Sequence, residues 1–437
     1  MDTKVSASKI GLLIVIAIAA ASASLAAQEK PALWHITTLY AFTGNADGAV
    51  PYGGVVLDPA RNVYGTTAGG GNFGGVNCGT GGCGVAFKID PRGHESLLHS
   101  FTGPPDGSNP QEGVTRDSAG RLYGLTAYLV LYELQPGATV CAAVLCPWNE
   151  SILYSNFDDG QYGGIPTGIP ILDAQGDIYA TSNSGGGGTN CSDSGCGFAF
   201  EVDSEGNFTP IYNFQGGSAD GGWPTGPLLL AADGSLYGTT AIGGPSNNGT
   251  VYKIDANGNE SILYSFTGGS DGGFPETGVI ADGQGNLYGT TVAGGQQGNC
   301  NYGGTCGVVF ELIPNQDGSW TESVLYRFQG GADGANPFGL LRDSQGNFYG
   351  TTQSGGACLY GPYCGTVYKL DSAANRTTLW NFTAGTDGLE PGYGSLVMDQ
   401  QGSLYGTTFY GGDDGATNPA CTGFYGPGCG VVFKLTP

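Results

Sequence analysis

A closed, seven-bladed, all-β propeller is the architecture that this 437-residue sequence predicts, on three observations. The tetrapeptide Tyr-Gly-Thr-Thr, or a close variant, begins at Tyr64, Tyr123, Tyr179, Tyr237, Tyr288, Tyr349 and Tyr405. The copies recur at a mean period of about 57 residues, which suits a blade of four strands. Each unit divides into four short apolar runs, and the runs at the two ends of the chain complete one another.

Blade 4 shows the unit most clearly. Strand a is expected at 227–231, b at 235–240, c at 250–254 and d at 261–266. The a–b link is a tight hairpin, with Asp opening the turn and Gly closing it, as in Asp117-Ser-Ala-Gly120, Asp282-Gly-Gln-Gly285 and Asp399-Gln-Gln-Gly402. Asp accepts hydrogen bonds from turn amides and Gly takes the positive-φ position. Two units depart: Arg61 stands for the Gly, and Ala231 for the Asp.

The ends decide between a ring and an open stack. The last unit has strands a, b and c and no d, whereas residues 35–42 form an orphan run that matches strand d elsewhere. These halves belong together only if the chain closes, which also removes exposed strand edges. An open β-solenoid gives no reason for that match. The expected organisation is one propeller domain over residues 35–437, closed by strand 35–42, behind a signal peptide at 1–27.

The leader has Lys4 and Lys9 before an apolar run from Ile10 to Ala20, and small residues near Ala26. That is the pattern of a cleaved secretory signal. The run is short for a membrane anchor. The expected location is secreted, periplasmic or cell-surface. A net charge of −23 repels nucleic acid and anionic membranes. Gly is abundant, 83 residues, without the Gly-X-Y period of collagen.

At this point the chain resembles a known family. Tyr-Gly-Thr-Thr, Gly-Gly, Gly-Thr-Val-Tyr-Lys-Ile, Ser-Ile-Leu-Tyr-Ser-Phe and the Asp-Gly…Pro loop are similar to the GloVer-type tandem repeat of exported bacterial proteins. The resemblance spans about residues 35–437. It implies an exported, often surface-associated protein with no assigned activity. Many relatives carry a C-terminal sorting anchor, a segment not recognised here. The a–b hairpins are also similar to those of NHL-type propellers, which bears on fold alone.

Twelve Cys fall into six close pairs: Cys78/Cys83, Cys141/Cys146, Cys191/Cys196, Cys300/Cys306, Cys358/Cys364 and Cys421/Cys429. Five pairs lie between strands b and c, and the 141/146 pair between c and d. Local disulfide staples fit an exported chain. Structural zinc needs two pairs converging on one ion, which one pair per blade does not supply.

The b–c and d–a loops should share one face of the disc, where long, stapled loops make the candidate binding surface. The d–a loops repeat Asp-Gly at Asp47, Asp106, Asp159, Asp220, Asp271, Asp333 and Asp387, each followed by a Pro. A ring of Asp can coordinate a cation or sugar hydroxyls; alternatively, each Asp fixes its own turn, and the sevenfold recurrence favours this second reading. Blade-specific aromatics break the symmetry: Trp223 and Phe274 in d–a loops, and Tyr302 and Tyr363 in b–c loops, lead this set, with Tyr52 and Tyr393 nearby. Aromatic faces beside carboxylates suit neutral glycans, while packing between blades is the competing role.

Three His, at 35, 94 and 99, fall on different elements, so no metal cluster or catalytic triad is expected. Glu112, Glu276, Glu390, Asp413 and Asp414 read as solvated surface charge. The leading functional expectation is a non-enzymatic extracellular binding or scaffold module, a monomer without cofactor, with a glycan or cell-surface protein as partner. A carboxylate-based glycoside hydrolase or polysaccharide lyase is the alternative.

Overall fold

The computed structural model describes residues 33–437 except 73, 75–77, 79–80, 138–147, 156–163, 192–193, 303, 357–363, 413–420 and 422–427. The leader, Cys141, Cys146, Asp159, Cys358, Tyr363, Asp413 and Asp414 therefore lie outside the described residues, as does the side chain of Tyr302.

Seven antiparallel sheets form the ring, and in six of them strands a to d follow chain order. In blade 4 they are Gly221–Leu230, Leu236–Gly243, Thr250–Ile254 and Glu260–Ser265. The last blade takes its outer strand from the other end of the chain. His35–Ala41 pairs antiparallel with Val431–Thr436, from His35 opposite Thr436 to Ala41 opposite Val431. The ring closes as the orphan strand predicts.

Seven buried apolar clusters hold the ring, one between each pair of neighbouring blades. The cluster joining blade 7 to blade 1, for example, packs Phe42, Tyr405 and Val432 against Val55, Val63 and Phe87. Burial is thus spread around the circumference, and each blade depends on both neighbours.

The repeated tetrapeptide is a packing device. Its Gly faces an aromatic ring across the b–c pair: Gly65 opposes Phe87 and Gly289 opposes Phe310. A Cβ at these positions would come within 2.7 Å and 2.6 Å of those rings. Blade 3 carries Ala180 opposite Phe200 instead. The last Thr is fully buried, as at Thr67, Thr240 and Thr291. Its hydroxyl donates to a carbonyl two residues on, at 2.8 Å from Thr67 to Gly69 and 2.9 Å from Thr240 to Ile242. That bond fixes the start of the b–c loop.

The hairpins follow the expected chemistry. Asp282 accepts from the amides of Gln284 and Asn286 at 2.9 and 3.0 Å, and from the Tyr288 hydroxyl at 2.9 Å. Arg61, in the departing unit, adopts φ 65° where other blades have Gly.

Candidate functional site

The d–a loops build the upper face from one repeated plan. Each described Asp of the Asp-Gly pair accepts hydrogen bonds from its own surroundings. Asp47 takes the Tyr40 hydroxyl at 3.1 Å and the Thr43 amide at 2.7 Å; Asp271 takes the Tyr264 hydroxyl at 3.1 Å and the Thr267 amide at 2.8 Å. Asp220 and Asp333 repeat this with Tyr212 and Tyr326, and Asp387 with the indole of Trp380. Asp106 accepts from His99, which stands in the Tyr position. These carboxylates clamp the loop to strand d at the outer rim.

The chain then turns inward through a strained residue just before the Pro. Val50, Asn109, Trp223, Phe274, Asn336 and Glu390 all have φ between 52° and 56°. A left-handed conformation costs roughly 1–2 kcal/mol for a residue with a Cβ, and most for β-branched Val50. Their amides donate to the carbonyls of Cys429, Cys83, Cys196, Asn248, Cys306 and Cys364 at 2.8–3.2 Å. Five of those six acceptors are cysteines of the predicted staples.

Disulfides join Cys78–Cys83, Cys191–Cys196, Cys300–Cys306 and Cys421–Cys429, and Cys364 is also disulfide-bonded. Each described staple therefore holds the carbonyl that anchors the next blade's inward turn. The Pro then approaches the Gly after the staple closely: a Cβ on Gly84 would lie 2.7 Å from Pro110 Cδ, and one on Gly307 2.7 Å from Pro337 Cδ.

Immediately beyond the Pro the plan stops repeating. The first residue is Tyr52, Gln111, Thr167, Thr225, Glu276, Phe338 or Gly392 in the successive blades. The second is Gly53, Glu112, Gly168, Gly226, Thr277, Gly339 or Tyr393. In every blade but the sixth, one or both of these residues line an axial cavity of about 530 Å³, together with Trp223 and the b–c residues Asn183 and Ala241. That volume lies within the ~300–1,000 Å³ range of small-ligand sites.

The cavity has an aromatic wall and an acidic one. Tyr52 stacks on Tyr393 and on Phe409, with centroids 4.8 and 4.5 Å apart and planes 17° apart in both pairs. Phe338 meets Tyr393 edge-on at 4.2 Å. Glu112 accepts the Gly168 amide at 2.7 Å. Burial raises the Glu112 carboxyl to about 7 against that hydrogen bond, and burial raises Glu276 to about 7 as well. Burial, then Tyr393, Glu112 and Glu276, drive the Tyr52 phenol far above its ordinary range. Both carboxyls therefore act electrostatically on one phenol.

Two expectations need correction. Glu112, Glu276 and Glu390 are not solvated surface charges. Glu390 is 3% exposed, with burial raising its carboxyl to about 7, and the other two are enclosed at the axis. The left-handed residue before the Pro turns this stretch inward. Nor are the His isolated from other ligating groups, because blade-to-blade packing brings His99 beside Asp106 and Glu150.

Of the predicted residues, Trp223 lines the cavity, while Phe274 sits half-buried at the inward turn of blade 5. The six described Asp of the ring sit at the rim. Sequence reasoning passed over Glu112 and Glu276 as ligand-facing groups. The signal available was their position one or two residues past the repeated Pro, where only blades 3 and 4 read alike.

The sequence model of the Gloeobacter/Verrucomicrobia repeat matches residues 74–306 and 298–437. The chain belongs to this repeat family. No curated protein matches the sequence significantly. Among solved structures, the protein is similar to streptogramin B lyase, with a TM-score of 0.54 and 13% identity over 92% of this chain and 97% of that one. It is also similar to the extracellular domain of the proposed hybrid two-component system BT3049 from B. thetaiotaomicron, with a TM-score of 0.53 and 10% identity. That match covers 93% of this chain and 41% of the other. At such identities the likeness concerns the fold alone. In this Gloeobacter/Verrucomicrobia repeat protein, the axial side chains are accordingly the place to look for function.

Proposed function

We propose that the protein is an exported, non-enzymatic binding module that takes a glycan segment in its axial cavity. One observation carries this reading: the repeated inward turn before the Pro, seen in six blades and anchored on a staple carbonyl in five, delivers unlike side chains from blade to blade to one axial cavity. Repetition serves the ring; departure from it at a concave, aromatic and acidic surface suits a ligand. The faces of Tyr52, Tyr393 and Trp223 suit the apolar faces of sugar rings. Glu112, Glu276, Gln111 and Asn183 offer hydrogen bonds to hydroxyls. Carboxyls raised to about 7 can donate as well as accept near neutrality.

Export rests on the leader at 1–27 and on the disulfides, which persist in oxidising compartments. No helix among the described residues is long and apolar enough to cross a membrane. We read the module as a monomer, with a cell-surface protein loop as the other partner for the same mouth. A glycan array with the purified protein tests the proposal. Binding to a defined glycan class, lost on Trp223→Ala, is expected; silence across plant, microbial and matrix glycans removes the glycan version.

The presence of two carboxyls in the cavity lining favours a second reading, glycoside hydrolysis or polysaccharide elimination by Glu112 and Glu276. It requires release of reducing ends or unsaturated products, abolished by Glu276→Gln with binding retained.

A further inference from the structure

The outer rim repeats a second arrangement. At several crossings between blades, the aromatic of one strand d and the Asp of the following loop meet a residue near the start of the next strand d. Tyr264 and Asp271 meet Glu322 in this way, and Tyr212 and Asp220 meet Glu260. Between blades 5 and 6 the third residue is a cation: Arg376 Nη1 lies 3.3 Å from Asp333 Oδ1, beneath Tyr326. The crossing thus accommodates a positive charge on its Asp when the chain supplies one.

The crossing between blades 1 and 2 differs in the first residue. His99, in strand d of blade 1 (Glu95–Ser100), replaces the tyrosine, and Glu150, in strand d of blade 2 (Asn149–Ser155), keeps the acid. A phenol that donates to Asp is a poor metal ligand, whereas neutral imidazole is a good one. His99 Nε2 lies 2.9 Å from Asp106 Oδ1 and 3.5 Å from Glu150 Oε1, and all three ligating atoms fall within 4.8 Å of one another.

We propose that His99, Asp106 and Glu150 bind one divalent transition-metal ion, with zinc as the ion of best-matched chemistry. An ion about 2.1 Å from each ligand in a tetrahedron sets its ligands about 3.4 Å apart, close to the separations found. One nitrogen and two carboxylate oxygens suit zinc, whereas calcium and magnesium prefer oxygen throughout. The ligands are pre-positioned. The Thr102 hydroxyl donates to Asp106 Oδ2 at 2.7 Å, leaving Oδ1 turned to His99, and the His99 ring packs edge-on against Phe101 at 4.7 Å. The three side chains are 14–17% exposed, so water can fill the remaining coordination position. Arg376 plays the ion's part at the other crossing, held by the chain itself.

The test is calorimetric titration of zinc into the chelator-stripped, non-reduced protein, with melting followed in parallel. One ion per chain and a zinc-dependent rise in Tm are expected. His99→Tyr restores the residue that Tyr40, Tyr212 and Tyr264 show the fold accepts. It should weaken zinc binding by roughly 100-fold or more while leaving the chelated protein's Tm nearly unchanged. Glu150→Gln should weaken binding in the same direction. His94→Ala removes the exposed His94–Asp90 pair, which is 3.1 Å apart, and should change nothing. Absence of zinc binding by the wild type, equal binding by His99→Tyr, or loss of binding on His94→Ala would each overturn the proposal.

Discussion

The rim and the axial mouth of the same loops obey opposite rules. At the rim, Asp47, Asp220, Asp271 and Asp333 clamp their loops with the same tyrosine and amide donors. A few residues later, at the axis, the first position beyond the Pro is Tyr, Gln, Thr, Thr, Glu, Phe and Gly around the ring. A residue needed by every blade is structural wherever it recurs. A residue that changes from blade to blade on an identical backbone is free to answer to something outside the fold.

Breaking closure should have the largest effect, because it removes the premise of both regions. Deleting residues 33–41 exposes strand c of blade 7 and opens the cluster around Phe433 and Val432. Loss of a cooperative thermal transition by circular dichroism is expected. Next comes the shared packing beneath both regions. Gly289→Val forces a branched side chain onto the Phe310 ring and should cost about 3 kcal/mol in denaturant unfolding. Ala180→Gly, which brings blade 3 to the common residue, should cost only about 0.5–1 kcal/mol.

A milder pair sharpens the contrast directly. Asp271→Asn weakens the clamp on Tyr264 and Thr267 and should cost about 1–2 kcal/mol of stability while leaving ligand affinity intact. Glu276→Gln should leave stability at pH 5 unchanged and alter ligand affinity.

The smallest effect is a pH slope. Glu95, Glu112, Glu260, Glu276, Glu322 and Glu390 are each raised to about 7, with burial the main cause. A folded state that holds these protons more tightly than the unfolded chain is favoured at low pH and loses that advantage as pH rises through 7. The hairpin carboxylates of Asp58, Asp282, Asp343 and Asp399 are lowered: burial opposes the shift, but hydrogen bonds from turn amides and tyrosines outweigh it. Their contribution is lost as pH falls through their folded values. Tm should therefore peak near pH 5 and decline by several degrees toward pH 8. Glu112→Gln with Glu276→Gln should flatten that decline.

Much of the ring was legible because it is written seven times. Period, hairpin Asp-x-x-Gly, paired Cys and complementary ends each follow from local chemistry. The inward turn was not legible. Positive φ at Val50 or Glu390 is a property of the amide's bond to a staple carbonyl on the preceding blade, and no local propensity signals it. Glu112 and Glu276 therefore looked like ordinary surface acids. That His99 stands in the tyrosine position of strand d, with Asp106 following it, is local sequence. Glu150, by contrast, is brought beside them only by the packing of blade 2 on blade 1. Aligning strand d of successive units, so that Glu95, Glu150, Glu260 and Glu322 fall in one column against Arg376, was the signal available.

The most direct measurement is a side-by-side titration of one array-positive glycan against Trp223→Ala and Asp271→Asn, each matched to wild type in folded fraction. The axial assignment predicts at least a tenfold loss of affinity for the first and none for the second. Equal losses, or a loss confined to Asp271→Asn, would place the binding surface at the rim and contradict it.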